Sequence, residues 1–65
     1  MIVSEFLKSK TWQESLKGKQ IIIISSCYRL HLTDNKLQKN QVDIGNKEIK
    51  YFFIIEKEKR VDVYV

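Results

Sequence analysis

The chain has 65 residues, one cysteine, one histidine and a formal net charge of +4. That length allows one domain, residues 1–65, whose core buries only about 60% of the unfolded surface. An internal disulfide is excluded, and no Cys/His set has zinc-ligand spacing, so packing or an oligomer must stabilise so small a core.

The positive charge is mostly lysine, with arginine only at Arg29 and Arg60. Lysine beside abundant isoleucine and asparagine reflects A/T-rich coding as readily as a polyanionic partner. The opening MIVSEFLK has neither a basic leader nor a long apolar region, and IIII is too short to span a bilayer. The expectation is a cytoplasmic protein with no membrane contact. With no proline, and glycine only at 18 and 45, the chain carries no linker, repeat or low-complexity tail.

Residues 3–17 read as helix, but with two apolar stripes. Val3, Phe6 and Leu7 form one, and Trp12 and Leu16 the other. At about 100° per residue, a straight helix would aim them more than ~90° apart. The pattern therefore predicts a short helix near 3–9, a kink near Ser9–Thr11, and a second helical segment from Trp12 to Lys17. Thr11 and Glu14 have capping-box spacing. Gly18 suits the position just past the helix end, with Lys17 and Lys19 at the negative pole of its dipole.

Gln20–Thr33 is the apolar centre of the chain. Four consecutive isoleucines favour extended backbone, because β-branched side chains pack well on a pleated sheet. Read as one strand, Ile22, Ile24, Tyr28, Leu30 and Leu32 point one way, and Ile21, Ile23, Cys27, Arg29 and His31 the other. Ser25-Ser26 could equally be a turn dividing the stretch into two strands. Asp34-Asn35-Lys36 is a turn signal, and 34–41 a polar loop with room for a helical turn around Leu37. Val42–Ile44 and Ile49–Tyr51 read as a hairpin about Gly45-Asn46. The last hairpin pairs Ile55 with Val61, Phe53 with Val63 and Phe52 with Tyr64. Its Lys57-Glu58-Lys59 tip lacks the glycine that a three-residue loop favours.

The fold class is α+β: a kinked N-terminal helical segment packed on a three- to five-stranded antiparallel sheet. The alternative is a helix with a small SH3-like barrel. The helix should cover Ile22, Ile24, Leu30, Leu32, Tyr51, Phe53, Ile55, Val61 and Val63.

No catalytic, cofactor or metal site is expected. Cys27 and His31 share a face, but four residues of strand separate them by about 13 Å, too far for a nucleophile–base pair. Cys27, in mid-strand, is expected to be buried and inert. Glu56 and Glu58 alternate with lysines, a pattern that blunts a sheet edge. There is no Gly-rich phosphate loop. Trp12 reads as an anchor between helix and sheet. The remaining feature is the second sheet face, expected to carry Phe52, Ile54 and Tyr64 with Arg29, His31, Lys50 and Arg60. An apolar patch rimmed by charge marks a contact surface. The expected function is a small non-enzymatic binding or regulatory protein, of the kind phages and mobile elements encode. Its partner would be another protein or a second copy in a homodimer. The alternative is a nucleic-acid-binding module using the same cations and aromatics. No small-molecule substrate is indicated.

Overall fold

A computed structural model describes residues 1–65. Its helical opening divides as the two stripes require: α1 spans Val3–Lys8 and α2 spans Lys10–Leu16. Between them Ser9 is extended, at φ −70° and ψ 124°, and with that change of direction both Phe6 and Leu16 are buried. The Thr11 capping box does not form. Ser9 holds the N-cap position without a side-chain hydrogen bond, and Thr11 lies inside the helix, exposed. The chain must turn at Ser9 to aim both stripes at the sheet, so the helix begins before Thr11. A related contact occurs at α1, where the Glu5 carboxylate accepts the Ile2 N–H at 3.0 Å. Beyond α2, Gly18 has φ +73°, the left-handed conformation of a helix terminator. Lys19 Nζ donates to the Ser15 carbonyl at 2.6 Å.

The Ile-rich stretch is two strands, β1 (Gln20–Ile24) and β2 (Arg29–His31). Ser25 turns the chain: its Oγ accepts the N–H groups of Cys27 and Tyr28. Two further strands, β3 (Tyr51–Ile55) and β4 (Arg60–Tyr64), form the last hairpin. The sheet order is β2-β1-β4-β3. Both hairpins are antiparallel, but β1 and β4 run parallel at the centre, so the sheet is mixed rather than wholly antiparallel. The sheet stays open, with β2 and β3 at its edges, and no barrel closes. No helix is long and apolar enough to cross a membrane.

Between the hairpins the chain is helical where strand was expected. A 3₁₀ turn at Lys39–Gln41 leads into α3 (Val42–Gly45). The expected Val42–Ile44/Ile49–Tyr51 hairpin is absent, because Val42, Asp43 and Ile44 complete a helical turn instead. Gly45 is buried there: a Cβ would come within 2.9 Å of Leu37 Cδ1. Ile49 N–H instead pairs with the Met1 carbonyl, and Val3 N–H with that of Lys47.

The core joins Val3, Phe6 and Leu16 to Ile21, Ile23, Leu32, Val61 and Val63. Trp12, Leu30, Phe52 and Ile54 pack against it. Two assignments of side are thereby corrected. Ile21 and Ile23, not Ile22 and Ile24, face the helices. The turn at Ser25–Tyr28 pairs Ile23 with Leu30 and Ile22 with His31, so odd positions of β1 share a face with even positions of β2. In β3, Phe52 and Ile54 face the helices while Tyr51, Phe53 and Ile55 face away. Observed pairs are Ile54 with Val61, Phe52 with Val63 and Tyr51 with Tyr64, one residue from the expected register. A one-residue slip exchanges the two faces of a strand. The slip originates at the tip, where the connection takes four residues rather than three. Glu56–Glu58 form a 3₁₀ turn, and Lys59 closes it in the left-handed conformation at φ 52° and ψ 48°.

Candidate functional site

The face turned away from the helices is laid out by register. One row across the sheet reads His31, Ile22, Asp62, Phe53, and the next Arg29, Ile24, Tyr64, Tyr51. A third joins Gln20, Arg60 and Ile55. Side chains opposite one another across strands point the same way, so these rows form one surface.

Its aromatic side is continuous. Tyr51 stacks on Tyr64 with centroids 4.8 Å apart and planes 26° from parallel. Phe53 meets both edge-on, at 5.5 Å from Tyr51 and 5.9 Å from Tyr64. These contacts leave Tyr51 53% and Phe53 54% exposed, while Tyr64 between its neighbours is half-buried. Beneath, Phe52 sits 4.8 Å from Phe6 and 5.0 Å from Trp12. Trp12 thus anchors helix to sheet, and the outer rings stand on a packed support.

The polar side is asymmetric. Asp62 is buried among its strand neighbours, and its Oδ1 accepts from Arg60 Nε at 3.2 Å. The same guanidinium holds Glu58 through Nη1. Arg60 is therefore committed to two carboxylates. Arg29 and His31, both exposed on β2, have no acidic partner.

Of the seven residues proposed from sequence, Arg29, His31, Arg60 and Tyr64 lie on this face. Phe52 and Ile54 lie beneath it, on the helix side, for the register reason given above. Lys50 is exposed just ahead of β3, at the Phe52 parity. Sequence reasoning placed Tyr51, Phe53 and Ile55 in the core. The missing glycine at the tip was the available signal, because a non-glycine tip favours a longer connection built on a type I turn. Cys27 belongs to neither face. It is exposed in the β1–β2 turn, where the serine-stabilised bend displaces it from the strand.

Other concavities lie between the helices and the 33–37 loop, and between Lys17–Lys19 and the β3–β4 tip. One is lined by Ser4, Leu7, Lys8, Asn35, Lys36 and Leu37, which offer no acid–base pair. No group of three or more His, Cys, Asp or Glu lies close enough to hold a metal ion. No protein-family model, curated protein or solved structure matches the chain.

Proposed function

We propose that this chain is a non-enzymatic binding module of regulatory type, working through the open sheet face by contact with another protein. The observation that carries the reading is the cluster of exposed Tyr51 and Phe53 with half-buried Tyr64, held over the packed aromatics Phe6, Trp12 and Phe52. Such rings offer large, ordered, amphipathic contact area at low entropy cost, which is why tyrosine and phenylalanine concentrate at interface centres. Arg29 and His31 supply a polar rim on one side. The same cluster could stack nucleic acid bases, but phosphate binding needs free cations. Arg60 is already neutralised by Asp62 and Glu58, which leaves Arg29 as the one unpaired arginine of the face and favours a protein partner. A reducing compartment such as the cytoplasm suits the single exposed thiol.

The test is affinity capture from a lysate of the source organism, with and without nuclease, using wild type and Tyr64→Ser. Tyr64 lies in the inner strand β4, so the variant removes a ring from the face without substituting any residue of either edge strand. A protein recovered by wild type, unaffected by nuclease and lost with Tyr64→Ser, is the expected result. Recovery that vanishes with nuclease, or that Tyr64→Ser leaves unchanged, overturns it.

A further inference from the structure

The two sheet edges are unlike. The β2 edge is three residues long and carries Arg29 and His31. The β3 edge is five residues, Tyr51–Ile55, with no charge, proline or glycine. Its pairing with β4 is unbroken by a bulge. Monomeric sheets blunt their edges with charge, proline, bulges or short strands, because a bare edge offers unpaired backbone groups to another strand. On β3 none of these devices is present.

The sequence around this edge is self-complementary. Read outward from Phe53, the chain runs Lys50-Tyr51-Phe52 on one side and Ile54-Ile55-Glu56 on the other. An antiparallel partner of identical sequence, centred on Phe53, would place Phe53 against its own copy. Tyr51 would then meet Ile55 and Phe52 would meet Ile54, and Lys50 and Glu56, which flank the strand, would lie near one another at both ends. Apolar residues oppose apolar ones on each face, and the only charges that meet are opposite in sign. Glu56 already approaches Lys19 at 3.4 Å, yet its side chain remains 77% exposed and free to take a second cation.

We infer that β3 pairs antiparallel with β3 of a second copy, making a two-fold dimer whose sheet runs continuously through eight strands. A two-fold axis at Phe53 uses one self-complementary patch and closes on itself, so the contact does not propagate into fibres. Strand addition of this kind draws affinity from main-chain hydrogen bonds and selectivity from the flanking side chains. The half-exposed rings of Tyr51 and Phe53 offer roughly 200 Å² per copy. Permanent interfaces bury about 800 Å² or more on each partner, so the pairing is reversible and populated at high concentration. The inference concerns the edge and does not depend on the proposed use of the face.

Sedimentation equilibrium up to millimolar concentration tests it. Wild type is expected to be a reversible dimer. Phe53→Lys sets like charges against each other on the axis and is expected to be monomeric, as is Phe53→Glu. An equimolar mixture of the two is expected to recover dimer, because only a partner centred on residue 53 brings the opposite charges together. Amide exchange on wild type gives an answer independent of variant folding: protection within 51–55 should rise with concentration. Wild type that stays monomeric at millimolar concentration overturns the inference. So does Phe53→Lys dimerising as well as wild type, a mixture that stays monomeric, or exchange at 51–55 independent of concentration. Capture through the face is tested separately, by Tyr64→Ser.

Discussion

Phe52 and Phe53 are chemically identical neighbours on opposite sides of the sheet, so truncating each in turn measures which side is core. Phe52 packs on Phe6 and Trp12. Complete burial makes Phe→Ala cost about 3–5 kcal/mol. Phe52 is only partly buried, which sets it at the lower end of that range; each phenylalanine has two ring contacts, so these do not separate the pair. A loss of about 3 kcal/mol is expected. Phe53 is 54% exposed, so Phe53→Ala forfeits about half of the ~1.5–3 kcal/mol available from burying such a side chain, or about 1 kcal/mol. At ~0.05–0.15 kcal/mol per residue, a chain of this size has roughly 3–10 kcal/mol in total. Urea unfolding followed by far-UV circular dichroism is the assay, because Trp12 fluorescence would respond directly to loss of the adjacent ring. With a urea slope near ~1 kcal/mol/M, the midpoint should fall by about 3 M for Phe52→Ala and about 1 M for Phe53→Ala. If Phe52→Ala is unfolded without denaturant, Phe52→Leu supplies the value. Equal losses, or a larger loss at Phe53, refute the register and restore Tyr51, Phe53 and Ile55 to the core.

Asn35→Ala should cost about 2–3 kcal/mol in the same assay. The Asn35 amide accepts the Ile21 N–H at 3.0 Å and donates to the Lys19 carbonyl at 2.6 Å, and their loss strands partly buried backbone groups; an unchanged midpoint counts against this clamp. Lys59→Gly should raise stability by about 0.5–1 kcal/mol, since Lys59 holds the left-handed conformation that glycine adopts without steric cost. A destabilised variant would show that the lysine side chain contributes more than the strain it imposes. Native Cys27 should react with a thiol reagent nearly as fast as in denaturant, because it is exposed in the β1–β2 turn; strong native protection would place it in a closed environment.

Legibility in the sequence followed the presence or absence of polar markers. The helix break was readable because Phe6 and Leu7 stand on a different side from Trp12 and Leu16, and only a bend buries both. In β4, Arg60, Asp62 and Tyr64 mark one side and Val61 and Val63 the other, so its phase was readable. Tyr51–Ile55 and Ile21–Ile24 are uninterrupted apolar runs, and alternation carries no phase when neither side is polar. Their orientation depends on the turns at Ser25–Tyr28 and Glu56–Lys59, where one residue of loop length decides everything. Val42-Asp43-Ile44 is too short for two and three-and-a-half residue periods to differ. The parallel pairing of β1 with β4 left no local trace, since each strand's pattern is compatible with either direction. For the candidate site, Arg29, His31, Arg60 and Tyr64 were found because they are the polar or amphipathic marks. Tyr51 and Phe53 were missed because the run containing them has none.

The central parallel seam also sets the order of assembly. Each hairpin closes over a four-residue connection, 25–28 or 56–59, and can form on the microsecond scale of isolated hairpins. The seam joins Ile22 to Asp62, which are 62 − 22 = 40 positions apart. A tenfold longer loop adds about 2 kcal/mol of closure entropy by logarithmic scaling. The two hairpins are therefore the early pieces and their docking the late event, with the seam contacts completed after the transition state. Val61→Ala and Ile21→Ala, at the seam, should accelerate unfolding while leaving the folding rate nearly constant. Stopped-flow rates that fell in the folding limb instead would mean the long loop closes first, around the four isoleucines, and the hairpins zip onto it afterwards.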